Sequence, residues 1–199
     1  MLLKAFRAFI YCFFCKFLYR VEYINLDTEK QLKGRNVVCA NHNDWMDSVI
    51  LWTKTEKPKI MAKAELFRVP VWSHLIRAVG AFPIHRGQED FKSIYHAVKM
   101  VEENNNLVIF PEGTRKAKLK KVKAKVGAVH IAISADADII PVYIEEGHRR
   151  IFRKIRVVYG EPYSLAGYKE QIKDKELLKK LTEELMEKIY GLGDKINDR

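Results

Sequence analysis

"VVCANHNDWMDSVILWTK", residues 37–54, opens on an apolar run, crosses a polar cluster and returns to a largely apolar segment. Its reading turns on His42 and Asp47, five positions apart. In one continuous helix, five residues rotate through about 500°, which leaves the two side chains about 140° apart and unable to meet. A strand that exits at His42, then a turn, then a helix carrying Asp47 in its first turn brings imidazole and carboxylate face to face. An aspartate that accepts from one ring nitrogen fixes the tautomer, and the other nitrogen is then able to take a proton from a hydroxyl. This is the base-and-orienter half of a catalytic triad, complete if the substrate brings its own hydroxyl. The same residues admit a structural reading, with Asp47 complementing the helix dipole and His42 bonded to the backbone.

The strand-then-helix pattern recurs outward from this stretch. Apolar runs of strand length stand at 37–40, 59–62, 81–84, 107–110, 139–144 and 155–160, with helix-length segments between most of them. That alternation predicts an α/β fold: a single domain with a central, largely parallel sheet flanked by helices. The C-terminal segment 173–192 carries Leu177, Leu178, Leu181, Leu185 and Ile189 on one face and reads as a closing helix that packs. Parallel α/β sheets hold their ligands beyond the carboxyl ends of the strands. Asn41, His42 and Asp47 follow the first run; Lys63 and Glu65 the second; His85 and Arg86 the third; Glu112, Thr114 and Arg115 the fourth. One sheet edge is thus expected to collect a histidine, carboxylates and cations. In "FPEGTR" (110–115), Pro111 ends the strand and Gly113 permits a tight turn. Arg115 offers a bidentate fork suited to phosphate, and Glu112 is expected to brace neighbouring polar groups.

The chain has 199 residues, 48% hydrophobic and 31% charged, in the range of one globular domain. Thirty-six Lys and Arg against 25 Asp and Glu give a net charge of +11, which implies an anionic partner. Three cysteines make no disulfide framework. No ligand spacing links His85, His96, His130 and His148, so no metal and no cofactor are expected. Residues 1–20, MLLKAFRAFIYCFFCKFLYR, are rich in Phe and Leu but interrupted by Lys4, Arg7, Lys16 and Arg20. A spanning helix needs about 20 apolar residues, so this segment is expected to lie in the plane of one leaflet with its cations on lipid head groups. The chain accordingly divides into a membrane-docking segment, 1–20, and a domain, 21–199.

"NHNDWMD" and "FPEGTR" together resemble two blocks of the glycerolipid acyltransferases. "KAELFRVP" (63–70), leading to "GAFPIHR" (80–86), looks like a third block, and "IIPVYI" (139–144) like the fourth. Three features depart from the family pattern: the pair Asn43-Asp44 stands where a serine is often found, Lys116 where a serine is common, and Ala124 where an aromatic is usual. The resemblance covers about residues 35–160 and implies transfer of a fatty acyl group from an acyl thioester to the free hydroxyl of 1-acylglycerol 3-phosphate. It implies His42 and Asp47 as the catalytic pair. The phosphate-binding set would be Lys63, Arg86, Glu112, Gly113, Thr114 and Arg115, with Asn41, Glu65 and Lys125 in support. The implied partners are a lysophospholipid acceptor, an acyl-acyl carrier protein or acyl-coenzyme A donor, and an anionic membrane surface, reached as a monotopic or peripheral protein on the cytosolic face of the cell membrane. Another acceptor, glycerol 3-phosphate or a different lysolipid, remains open, as does a basic lipid- or nucleic-acid-binding protein without enzymatic activity. Nucleic acid is not expected as a partner, because the aromatic residues gather at the N-terminus, away from the cations at the strand exits.

Overall fold

The computed structural model describes residues 2–27, 34–84, 91–115, 123–146 and 152–197. Its centre is β2 (Asn36–Ala40), where all five residues are buried. A strand covered on both faces must be apolar throughout, and this accounts for the unbroken run in the sequence. β2 lies between β5 (Asn106–Ile109) and β6 (Asp138–Ile144) in a seven-stranded sheet. Beyond β5 lie β3 (Pro58–Lys63) and β4 (Ala81–Ile84); beyond β6 lie β7 (Ile155–Tyr159) and β1 (Val21–Ile24). Every neighbouring pair is parallel except β6 with β7. The sheet is therefore largely parallel, as the sequence predicts, with the additional edge strand β1. Its four residues are mostly half-buried and lack the apolar run that marks a central strand.

Side chains alternate across the sheet. Val37, Cys39, Leu107 and Ile139 face α4 (Phe91–Glu102), α5 (Gly127–Ser134) and α6 (Lys175–Asn197). Val38, Ala40, Val108 and Ile140 face α2 (Met46–Lys54). The helix-length segment after β3 is divided. A 3₁₀ turn covers Ala64–Phe67, and α3 (Pro70–Ala78) starts afresh with Pro70 in its first turn and Val69 extended before it. A proline fits a first turn and forces an extended residue before it. Gly80, which joins α3 to β4, has φ +90, and a Cβ there would lie 2.1 Å from the Pro58 carbonyl oxygen. Only glycine allows that approach.

The N-terminal segment forms α1 (Leu2–Ile10) and a π-helical stretch, Tyr11–Leu18. One side packs against α2: Cys15 is fully buried, and Ile10, Tyr11 and Phe14 join the core beside Met46 and Ile50. Arg7, expected among the lipid-facing cations, turns inward. Its Nε donates to the Thr53 carbonyl at 2.9 Å and its Nη2 to that of Thr55 at 2.6 Å. The other side leaves Leu3, Phe6, Phe9, Phe13 and Phe17 exposed. Among the described residues, no helix is long and apolar enough to cross a membrane.

Candidate active site

β2 delivers its last residues to the carboxyl edge of the sheet, where Asn41 continues the ladder through its side chain. Its Nδ2 donates to the Ile144 carbonyl at 2.8 Å, and its Oδ1 accepts from the Ile144 N–H at 2.7 Å. Asn41 is fully buried, so the ends of β2 and β6 are locked together one residue before His42. The chain then turns. Asp47 Oδ2 accepts from the backbone N–H groups of Asn43 at 2.6 Å and Asp44 at 2.7 Å, and Asp44 Oδ1 accepts from the Met46 N–H at 3.0 Å. The polar cluster in the sequence is therefore a turn wrapped around one carboxylate, at the N-terminus of α2 where the helix dipole favours negative charge.

His42 Nδ1 lies 3.2 Å from Asp47 Oδ2. Asp47 is fully buried and His42 is 9% exposed, so the pair faces solvent only through the ring. A proton on Nδ1 shared with Asp47 leaves the lone pair on Nε2 for a substrate. The imidazole stacks on Phe110, with ring centres 4.1 Å apart and planes 20° apart. The contact sets the ring's tilt and covers one of its faces.

Phe110 and Glu112 follow β5, the neighbour of β2. Glu112 is 4% exposed and binds the fold through both oxygens: Oε2 accepts from the His42 backbone N–H at 3.2 Å, and Oε1 accepts from the Tyr190 hydroxyl. Burial, and after it the Glu112 carboxylate, push the Tyr190 phenol well above its usual pKa range, so it serves as a donor. Gly113 has φ +65 and its N–H returns to the Phe110 carbonyl at 2.9 Å. The Lys125 stem lies over it, so that a Cβ at this position would stand 3.2 Å from Lys125 Cε. The Lys125 N–H bonds the Pro111 carbonyl at 2.8 Å.

The structure thus assembles Asn41, His42, Asp47, Glu112, Gly113 and Lys125. Thr114 is half-buried and Arg115 exposed in the same turn. Lys63 and Glu65 are exposed at the end of β3, next along the same edge. Arg86, like His85 and residues 116–122, lies outside the described residues. Asn43 Nδ2, beside the histidine, is buried with no partner among the described residues. Phe110 and Tyr190 escaped the sequence reading. Phe110 is the last residue of an apolar run, and Tyr190 lies 78 positions from Glu112 on a helix whose pattern speaks only of packing. Among the described residues, no three His, Cys, Asp or Glu side chains gather as a metal site.

Residues 20–145 match the family model described as Acyltransferase. The 1-acyl-sn-glycerol-3-phosphate acyltransferase of Bacillus subtilis (strain 168) is 30% identical over 167 residues, 81% of this chain and 82% of that protein. The protein of the same name from Haemophilus influenzae is 27% identical over 188 residues, 85% of this chain and 77% of its own. That from Streptococcus pneumoniae is 33% identical over 124 residues, which are 60% of this chain but 45% of the longer relative. Among solved structures, the 1-acyl-sn-glycerophosphate (LPA) acyltransferase PlsC of Thermotoga maritima superposes with a TM-score of 0.65 over 90% of this chain and 73% of that one. At 23% identity, that likeness speaks for the fold.

Proposed function

The chain belongs to the acyltransferase family, and we propose that it moves a fatty acyl group from a thioester to the free hydroxyl of 1-acylglycerol 3-phosphate, giving phosphatidic acid. The observation that carries this reading is the His42–Asp47 pair at 3.2 Å, set beside a turn that ends in an exposed arginine. His42 Nε2 takes the acceptor's hydroxyl proton as the oxygen attacks the thioester carbonyl. Asp47 holds the tautomer and stabilises the imidazolium. When the tetrahedral intermediate collapses, the C–S bond breaks and His42 returns the proton to the departing thiolate. General base catalysis of this kind contributes about 10²–10⁴-fold.

Arg115 and Lys63 lie on the β5–β3 side of the centre along the sheet edge and suit the acceptor's phosphate, with Lys125 over the turn and Arg86 following β4 in the sequence. Glu112, held through both oxygens, acts as a brace and not as an acid. The exposed phenylalanines of the N-terminal segment suit docking into one leaflet at the cytosolic face, from where a lysolipid reaches the site without leaving the membrane surface.

The test incubates detergent-purified protein with lysophosphatidic acid and, in parallel, glycerol 3-phosphate, each with acyl-acyl carrier protein and acyl-coenzyme A, and identifies products by mass spectrometry. Phosphatidic acid is expected from lysophosphatidic acid with at least one donor, and none above background from His42→Ala. Wild-type turnover by His42→Ala would overturn the mechanism. Acylation of glycerol 3-phosphate alone would overturn the acceptor.

A further inference from the structure

We propose that Phe152, on the connection from β6 to β7, is a second membrane-insertion point, so that the protein docks on an anionic phospholipid leaflet through two separate elements. The inference rests on the in-plane docking of the N-terminal segment proposed above.

Phe152 combines three properties that the interior does not explain. It has φ +67, a left-handed backbone that a bulky aromatic residue adopts only at a cost. Its ring is 59% exposed. Its backbone N–H donates to the Leu18 carbonyl, which pins this connection to the end of the π-helical stretch. A strained residue that buries little in the protein suggests a benefit gained elsewhere.

The surroundings indicate where. The Phe152 ring stands edge-on to Phe17, with centres 5.8 Å apart. Phe17 stacks on Phe13 at 6.2 Å, and Phe13 on Phe9 at 5.8 Å. Phe9, Phe13 and Phe17 are themselves 61%, 42% and 60% exposed. Four rings from two distant parts of the sequence therefore form one continuous exposed row. Lys16 and Arg153 are exposed next to members of this row in the sequence, and Arg20 is exposed three positions beyond Phe17. An apolar centre bordered by cations, in a chain of net charge +11, matches a leaflet with anionic head groups.

Position adds a functional argument. β6 ends at Ile144, whose backbone is bonded on both sides to Asn41, the neighbour of His42. The connection that carries Phe152 thus leaves the sheet at the edge that holds the candidate active site. The N-terminal segment is packed on α2, so its row of rings sets the line along which the domain meets lipid. A second contact from the β6 side fixes which edge of the sheet faces the lipid.

The test uses the full chain and extruded vesicles of phosphatidylcholine with phosphatidylglycerol, read by sedimentation. Phe152→Gly removes the ring and suits the left-handed backbone, so its thermal midpoint should equal or exceed that of the wild type. Turnover of a dispersed short-chain acceptor should be unchanged, while vesicle affinity should fall about tenfold. Phe152→Trp should retain binding and add tryptophan emission that brominated acyl chains quench. Unchanged vesicle affinity for Phe152→Gly would overturn the proposal, as would loss of a solution dimer in its place. The double variant Phe9→Ser/Phe13→Ser separates the two readings. If it releases the protein from vesicles while Phe152→Gly does not, N-terminal docking stands and the second insertion point falls. If neither variant weakens binding, both readings fall.

Discussion

The two ends of helix α2 are held by different means. At its N-terminus, Asp47 is surrounded by partners within five positions: His42, Asn43 and Asp44. At its C-terminus, the carbonyls of Thr53 and Thr55 are met by Arg7, which is 46 and 48 positions away. Both ends obey the same electrostatics, an anion at the positive end of the dipole and a cation at the negative end. The difference is one of range. At the chemical end, the turn around Asp47 is specified locally, so a short stretch of sequence suffices to build it. Phe110 and Glu112 complete the setting of His42 from the end of β5. The mechanical end is specified by a distant segment that also bears the exposed aromatic row. The helix that positions the candidate catalytic pair is thus anchored in the element proposed to meet the membrane.

Breaking the local end should have the largest effect. Asp47→Asn keeps the side-chain volume and one acceptor for the turn's N–H groups but loses the charge that fixes the His42 tautomer. The comparable change in a serine-protease triad lowers kcat about 10⁴-fold, and a loss on the order of 10³–10⁴ is expected here with little change in KM. Steady-state kinetics on lysophosphatidic acid, with circular dichroism as a check on folding, measures it. A loss below tenfold would mean that the carboxylate serves the turn and not the base.

A smaller effect is expected one contact further out, where α6 supports the site through Tyr190. Tyr190→Phe removes only the hydroxyl and leaves Glu112 Oε1 without that donor in a buried place. Leaving a buried acceptor short of its partner costs about 1–3 kcal/mol, and for a chain of this size each kcal/mol lowers Tm by roughly 2–4 °C. Because the other Glu112 oxygen holds the His42 backbone, kcat should fall about tenfold while the thioester KM stays put. A fall in Tm with unchanged kcat would make Tyr190 a fold residue alone.

The same division by range decides what the sequence reveals. The apolar run of β2, the polar cluster after it and the apolar segment of α2 lie within 19 residues, so a strand, a turn and a helix could be read and His42 placed against Asp47. Repetition of strand and helix gave the parallel sheet, and the carboxyl-edge rule brought the Glu112 turn to the same place. Tyr190 and Phe110 could not be read, because nothing in an amphipathic stripe or at the end of a buried run marks one aromatic as facing a polar group. β1 was missed because a half-buried edge strand of four residues carries no apolar run. Arg7 was assigned outward because composition counts charges and cannot say which one finds two helix-end carbonyls.

Arg7 offers the smallest effect and the sharpest contrast between the two ends. Its guanidinium is half-buried, and desolvation, the main cause, lowers its pKa from the usual arginine value, although it remains a cation. It also lies 5.8 Å from the Trp52 ring centre, so Arg7→Met keeps much of the packing while removing the fork and the charge. Interaction with a helix C-terminus contributes about 0.3–1 kcal/mol at exposed sites. A Tm decrease of about 1–4 °C follows for a chain of this size. Arg7→Lys should recover part of it, since an ammonium keeps the charge but cannot bridge both carbonyls in a rigid fork. Turnover of a dispersed acceptor should fall about two- to threefold, because a fraction of a kcal/mol at the far end reaches Asp47 only through the helix. Vesicle affinity separates the structural assignment from the reading of all four N-terminal cations as head-group ligands. With Arg7 bonded to α2, Arg7→Met should bind phosphatidylglycerol vesicles as the wild type does and melt at a lower temperature. Weaker vesicle binding at an unchanged melting temperature would place Arg7 at the membrane and leave the C-terminus of α2 without its brace.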